Sequence, residues 1–314
     1  MKRKVVRHGS NTLTVSLPAK WCDKFSVKNG DEVEVVEQEN SLIISNEKVK
    51  PKTDSITFDI SNLDRTSTLI LIQGLYRYGY DEITIRADSI MFPHYRIEKE
   101  VSVSKVVHDV VNRFIGSELI SSSSKSFSIR KITQESMDEF EIVLRRVFRL
   151  LNEMMQVFIE GIEKNSIETL ESIEFHHINV KKFINYCLRL LNKFGYPDRR
   201  KTCFYFSIIQ YMSKIDDFIK NASRYITKNK FKISERSINV IKDINHSVNL
   251  YYELFYDYDV KKVSNLNQWR DKIRNSFFSK TREFSKDELV ILAGFLQIIE
   301  ILLDMTELRM ALEH

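Results

Sequence analysis

The chain has 314 residues, enough for two or three domains. Hydrophobic residues at 43% and charged residues at 29% describe an ordinary soluble protein, and the net charge of +5 permits an anionic partner without requiring one. Cys22, Cys187 and Cys203 are odd in number and far apart, which excludes a disulfide framework or a cysteine zinc site and fits a reducing cytoplasm. The basic start has no apolar run behind it, so no signal peptide is expected. No stretch reaches the uninterrupted apolar length of a membrane span.

Lys2, Arg3, Lys4 and Arg7 open the chain before any acid appears. This reads as a short basic arm, or as a solvated, frayed terminus. Leu13, Val15 and Leu17 alternate as a short strand that runs into Pro18. One or two helical turns follow, carrying Trp21 and Phe25. Asn29-Gly30-Asp31 then turns the chain into a second alternating run, Val33 and Val35, and a third from Leu42 to Ile44. A piece of about 45 residues lies near the lower limit for folding alone, where oligomerisation is the usual remedy.

The pieces Arg7-x-Gly9, Ser16-Leu-Pro-x-x-Trp21, Gly30-Asp31-x-Val33-x-Val35 and Leu42-x-Ile44 resemble the AbrB/MazE-type swapped-hairpin DNA-binding family. The resemblance implies that residues 1–48 form half of a β-barrel completed by a second chain. It implies a homodimer and a DNA partner. On this sequence the implied DNA contacts are Arg3, Lys4, Arg7, Asn11, Thr12 and Lys20, with basic groups on phosphates and polar loop groups near bases or backbone. Ser16 stands where the family has a basic residue before the Leu-Pro step. The alternative is a hairpin module that oligomerises without touching DNA.

Glu47 to Asp54 is polar, carries Pro51 and reads as a linker. Residues 55–133 read as a small α/β connector. Ile56 to Ile60 alternates as a strand, Asp64 can cap a helix from Arg65 to Tyr78, Gly79 ends it, and Glu82 to Arg86 is another strand. A helix from Val103 to Phe114 follows. Gly116 breaks it before two strand-like segments, Ser117 to Ser123 and Ser126 to Lys131. The serines at Ser121 to Ser124 suit a loop or an edge strand. Gly74 and Gly79 make no phosphate-cradling loop, so the connector reads as a packing module.

From Glu135 onward the apolar residues recur at helical spacing. One stripe runs from Phe140 through Val147 and Met154 to Phe158. A second runs from Leu170 through His177 and Ile184 to Leu191, and a third from Ile208 through Ile215 to Ile226. The pattern then repeats. Gln210-x-Met212-x2-Ile215-x-Asp217 is echoed by Gln297-x-Ile299-x2-Leu302-x-Asp304. The fold class expected is therefore multidomain: a swapped-hairpin β-barrel half, the α/β connector, and an all-α bundle over 135–314 made of two three-helix repeats, at about 135–228 and 233–314.

A duplicated three-helix unit with acids four apart in its last helix resembles the PhoU family of phosphate-uptake regulators. The likeness is carried by Met212 to Asp217 with Asn221, and by Ile299-Glu300 to Asp304. Its fusion to a swapped-hairpin module resembles an archaeal phosphate-uptake regulator arrangement. The resemblance implies a divalent or iron ion on the bundle, with Asp217, Glu300 and Asp304 as candidate ligands. Departures are Ser213 in place of the leading acid, Leu308 in place of the asparagine, and Asp216 and Leu303 in place of glycine. Without a metal, Glu300 and Asp304 read as a solvated edge balanced by Arg309 or another base. His177 falls on the apolar stripe and reads as a hydrogen-bonded core residue, with His176 at its edge; adjacent histidines on a helix do not converge on one metal.

No general acid/base pair, nucleophile triad or phosphate loop is present, so no enzyme is expected. The expected function is a cytoplasmic DNA-binding regulator of phosphate uptake, with a phosphate transporter or sensor protein as a candidate partner of the bundle. The rivals are an adaptor whose barrel only dimerises and whose bundle docks such a protein, and a metal sensor.

Overall fold

The computed structural model describes residues 1–9, 11–38, 41–45 and 54–313. The chain forms two compact units, Met1–Thr53 and Asp54–His314. Residues 47–53 of the expected linker lie outside the described residues.

The first unit holds β1 (Val5–His8), β2 (Thr12–Val15), α1 (Ala19–Phe25), β3 (Glu34–Gln38) and β4 (Ser41–Ser45). β1 pairs only with β2, and β3 only with β4, each antiparallel. The described strands thus form two separate hairpins, and no closed barrel exists among the described residues. The expected basic arm is also corrected: from Val5 onward it is a strand, because Val5 and Val6 find partners in Val15 and Thr14. Gly9 takes φ +74° and Gly30 φ +89°, left-handed values that suit glycine at the two turns. Within residues 1–9, 11–35, 42 and 44–45, no residue is buried. Leu13 is 68% exposed and Val5 63%.

The second unit begins with β5 (Ser55–Asp59), α2 (Arg65–Tyr78) and β6 (Glu82–Arg86). β5 and β6 are parallel, as a βαβ crossover requires. Asp64 caps α2 by accepting from the amides of Thr66 (3.0 Å) and Ser67 (3.1 Å), and Gly79 ends it at φ +118°. A hairpin of β7 (Met91–His94) and β8 (Lys99–Ser102) follows, enclosing a 3₁₀ turn at Tyr95–Ile97. It leads into α3 (Val103–Val111), β9 (Ser117–Ser122) and β10 (Ser126–Lys131). The sheet order is β5-β6-β10-β9, so Ser121 and Ser122 belong to an edge strand. Ile72, Ile83, Val107, Val110, Phe127 and Ile129 form the core of this layer.

The helical part comprises α4 (Phe140–Glu163), α5 (Ile167–Glu171), α6 (Ile173–Phe194), α7 (Thr202–Asn229), α8 (Glu235–Tyr256), α9 (Val260–Ser279) and α10 (Lys286–Glu313). Two successions of three long helices result: α4, α6 and α7, then α8, α9 and α10. Corresponding helices touch, with α4 on α8 and α7 on α10. Gly161 permits the close approach of α5 to α4, since a Cβ there would lie 2.8 Å from Leu170 Cδ2. The interior is one continuous apolar cluster from Phe140 to Leu312.

α10 is long and apolar enough to cross a membrane by length and composition, although Glu300 and Asp304 interrupt its apolar run. Here it packs against α7, α8 and α9, and Leu292, Phe295, Ile298 and Leu302 are buried.

The connector and bundle keep separate apolar cores but form one compact unit. α2 lies on α6, and Arg189 of α6 joins the two layers. Its guanidinium donates to the carbonyls of Tyr76 (2.9 Å) and Tyr80 (2.7 Å), to Asp81 (3.0 Å) and to Glu135 (2.6 Å).

Candidate functional site

In the N-terminal unit, strand alternation sorts the candidate contacts. Register places Arg7 opposite Leu13 and Val5 opposite Val15, so Arg7 shares a face with three apolar side chains. His8 pairs with Thr12, and Val6 with Thr14, on the other face. Arg7 and Thr12 therefore point to opposite faces. Arg3 and Lys4 precede β1, Asn11 sits in the turn, and Lys20 lies in α1. All six candidates are exposed, and none of the four basic ones has an ion-pair partner among the described residues.

The acidic candidates of the second unit lie in different surroundings. Glu300 is bound by Arg274 of α9, the other base that a solvated edge allowed, while Arg309 is committed to the Phe255 carbonyl and Glu313. Asp304 is exposed. Among the described residues, the histidines and acids whose ligand atoms converge, all within 4.8 Å, are His177, Asp216 and Asp217. Glu300 and Asp304 are not part of this group.

The convergence follows from helix periodicity. Asp216 and Asp217 project from α7 beside Ser213 and Lys220, and His177 and Lys181 are four apart on α6. His177 is buried, as its stripe position implied. Its Nδ1 lies 2.8 Å from Asp216 Oδ2. Burial lowers its pKa more than Asp216 restores it, so the ring is neutral and donates from Nδ1.

Two lysines enter the same space. Lys181 Nζ lies 3.0 Å from Asp217 Oδ2 and 3.2 Å from Asp216 Oδ2, and it donates to the Ser213 carbonyl (2.9 Å) and hydroxyl (2.5 Å). Lys220 Nζ donates to Asp217 Oδ1 at 2.6 Å. Burial opposes ionisation of Asp217, but the two ammonium groups outweigh it and hold its pKa down at about 2. Two carboxylates thus face two ammonium groups. The residues present do not fit a divalent cation, because the positive charge it would bring is already supplied by side chains. Ser213 completes the seat of Lys181.

Comparison with known proteins adds one finding. Residues 6–54 match the family model described as antidote-toxin recognition MazE, bacterial antitoxin. The N-terminal unit is therefore of MazE/AbrB type, a class of DNA-binding or antitoxin-type regulatory domain. No curated protein and no solved structure matches the chain.

Proposed function

We propose that the chain is a cytoplasmic, non-enzymatic DNA-binding regulator of phosphate uptake, active as a dimer built through its N-terminal unit. The observation that carries this reading is a unit similar to MazE-type domains in which none of residues 1–9, 11–35, 42 and 44–45 is buried. Hairpins with Val5, Leu13, Val15, Val35 and Leu42 exposed need a cover, and a second copy supplies a self-complementary one. Pairing brings two sets of Arg3, Lys4, Arg7 and Lys20 together as a phosphate-binding surface. The phosphate part of the reading comes from the PhoU-like residues in α7 and α10. On this account the bundle binds a transporter, a sensor or a ligand and biases the DNA contact.

Duplex binding by the full chain, measured over a salt series, tests the DNA part. Affinity should fall with salt with a logarithmic slope no steeper than about −7, set by up to eight phosphate contacts per dimer. A slope near zero rejects the electrostatic contact. Genome-wide capture of bound DNA at high and low phosphate tests the other part, and occupancy that ignores phosphate rejects it.

A second reading draws on the placement of Arg7 among Val5, Leu13 and Val15. That residue sits on the face best suited to pairing, which favours a unit that only dimerises and a bundle that docks another protein. Substituting Arg3, Lys4 and Arg7 by alanine separates the two: a regulator loses DNA binding, and an adaptor keeps its activity.

A further inference from the structure

A groove of about 490 Å³ lies between α2 and α7, with α6 at its floor. Arg65, Leu69, Gln73 and Arg77 line it from successive turns of α2. Gln210, Lys214, Asp217 and Arg224 line it from α7. Arg96 enters from the 3₁₀ turn and Arg113 from the end of α3. His177 and Lys181 rise from α6.

The charges do not balance. Lys181 and Lys220 are committed to Asp216 and Asp217, and Arg224 is bound to Glu174. Arg65, Arg77, Arg96, Arg113 and Lys214 have no ion-pair partner among the described residues. Arg77 Nε donates to Asn185 (2.9 Å), and Arg113 Nε is buried with no partner. Asp217 is the single carboxylate in the lining. Asp109 attracts Arg65 and Arg113 from beyond ion-pair reach. Burial depresses the pKa of Arg113, and Arg65 and Arg224 depress it further; burial, then Arg96 and Arg224, do the same to Arg65. Guanidinium groups stay protonated in proteins, so burial first, and repulsion between the arginines second, disfavours their charge, with Asp109 offsetting it for both and Glu174 for Arg113.

An anion would relieve that repulsion, and guanidinium forks match phosphoryl oxygens two at a time. Charge decides which anion. Arg65, Arg77, Arg96, Arg113 and Lys214 are five cations with no ion-pair partner among the described residues, and one orthophosphate, with about two negative charges at neutral pH, offsets fewer than half of them, whereas a linear condensed phosphate carries more. Among the described residues no Phe, Tyr or Trp lines the groove, the His177 ring is buried against Asp216, and the apolar side chains are Leu69 and Ile70. A nucleobase would find no stacking surface.

We propose that this groove binds a short linear condensed phosphate, such as pyrophosphate or tripolyphosphate. The site is separate from the N-terminal unit and does not depend on DNA binding.

Calorimetric titration of the full chain at about physiological ionic strength tests it. The probes are orthophosphate, pyrophosphate, tripolyphosphate and ATP. Tripolyphosphate should bind at least about tenfold more tightly than orthophosphate, since each added charge-assisted contact contributes roughly that factor. Arg65→Gln with Arg113→Gln should weaken it about 100-fold. Arg113 is half-buried, so a second variant, Arg96→Gln with Lys214→Gln, changes two exposed residues and should cost about tenfold. Alanine at Arg3, Lys4 and Arg7 should leave tripolyphosphate binding unchanged. Unchanged affinity in both groove variants, loss in the N-terminal variant, equal affinity for orthophosphate, or tighter binding of ATP than of tripolyphosphate would each overturn the proposal.

Discussion

Lys181 Nζ lies 3.0 Å from Asp217 and 3.2 Å from Asp216, so a lysine of α6 supplies the charge that these neighbouring acids of α7 need. Replacing Lys181 by methionine removes one ammonium and leaves buried carboxylate charge exposed to a low-polarity interior. The expected cost is about 3–5 kcal/mol, read as a fall in denaturation midpoint. Added zinc should recover part of that loss, because His177, Asp216 and Asp217 already converge. The unaltered protein should gain nothing from zinc and should carry no stoichiometric metal by elemental analysis. A metal found there at one ion per chain would show that the lysines yield.

Arg189 is fully buried and meets four partners, two of them carbonyls of the α2 end. Arg189→Met should destabilise the protein by about 3–5 kcal/mol, since the Glu135 side chain is also fully buried and loses its closest counter-charge. Arg189→Lys should fail to restore stability, because one ammonium cannot reach Glu135, Asp81 and two carbonyls together. Thermal unfolding of both variants checks this. A lysine variant as stable as the parent would contradict the role given to the planar fork.

Glu288 links α8 to α10. Burial disfavours its charge, but donation from Ser234 N (2.9 Å), Ser237 Oγ (2.8 Å) and Ser285 N (2.9 Å) outweighs burial, and its pKa falls from 4.5 to about 2. A depressed carboxylate pKa contributes stability that is present above the unfolded value and is lost as pH falls through the folded one. Glu288→Gln should therefore cost about 1–3 kcal/mol at neutral pH. The gap between variant and parent should narrow as pH drops from about 4.5 towards about 2. Paired denaturation curves across that range check the sign, and a gap that widens in acid would refute it.

Local signals made much of the second unit legible. Asp64 and Gly79 bound α2 as a cap and a left-handed stop should, and Ser166 starts α5 by accepting from the Thr169 amide. His177 was placed in the core by its stripe. Its partner Asp216 lies 39 residues away on another helix, and no local pattern joins them. The β7–β8 hairpin was missed because Met91-Phe-Pro-His94 is short and holds a proline. The basic groove was hidden for the same reason as the histidine pair. Its unpaired cations come from α2, a 3₁₀ turn, the end of α3 and α7, and packing alone gathers them. In the N-terminal unit the alternation of β2 was plain, but β1 reads as a charged arm until Val5 and Val6 are given partners.

Two N-terminal units are proposed to combine and grip one duplex. Native mass spectrometry of the full chain with a captured genomic duplex counts the protomers directly. Two chains per duplex are expected, and alanine at Arg3, Lys4 and Arg7 should leave the protein dimeric but free of DNA. One chain per duplex, or a monomer that binds no DNA, would contradict it.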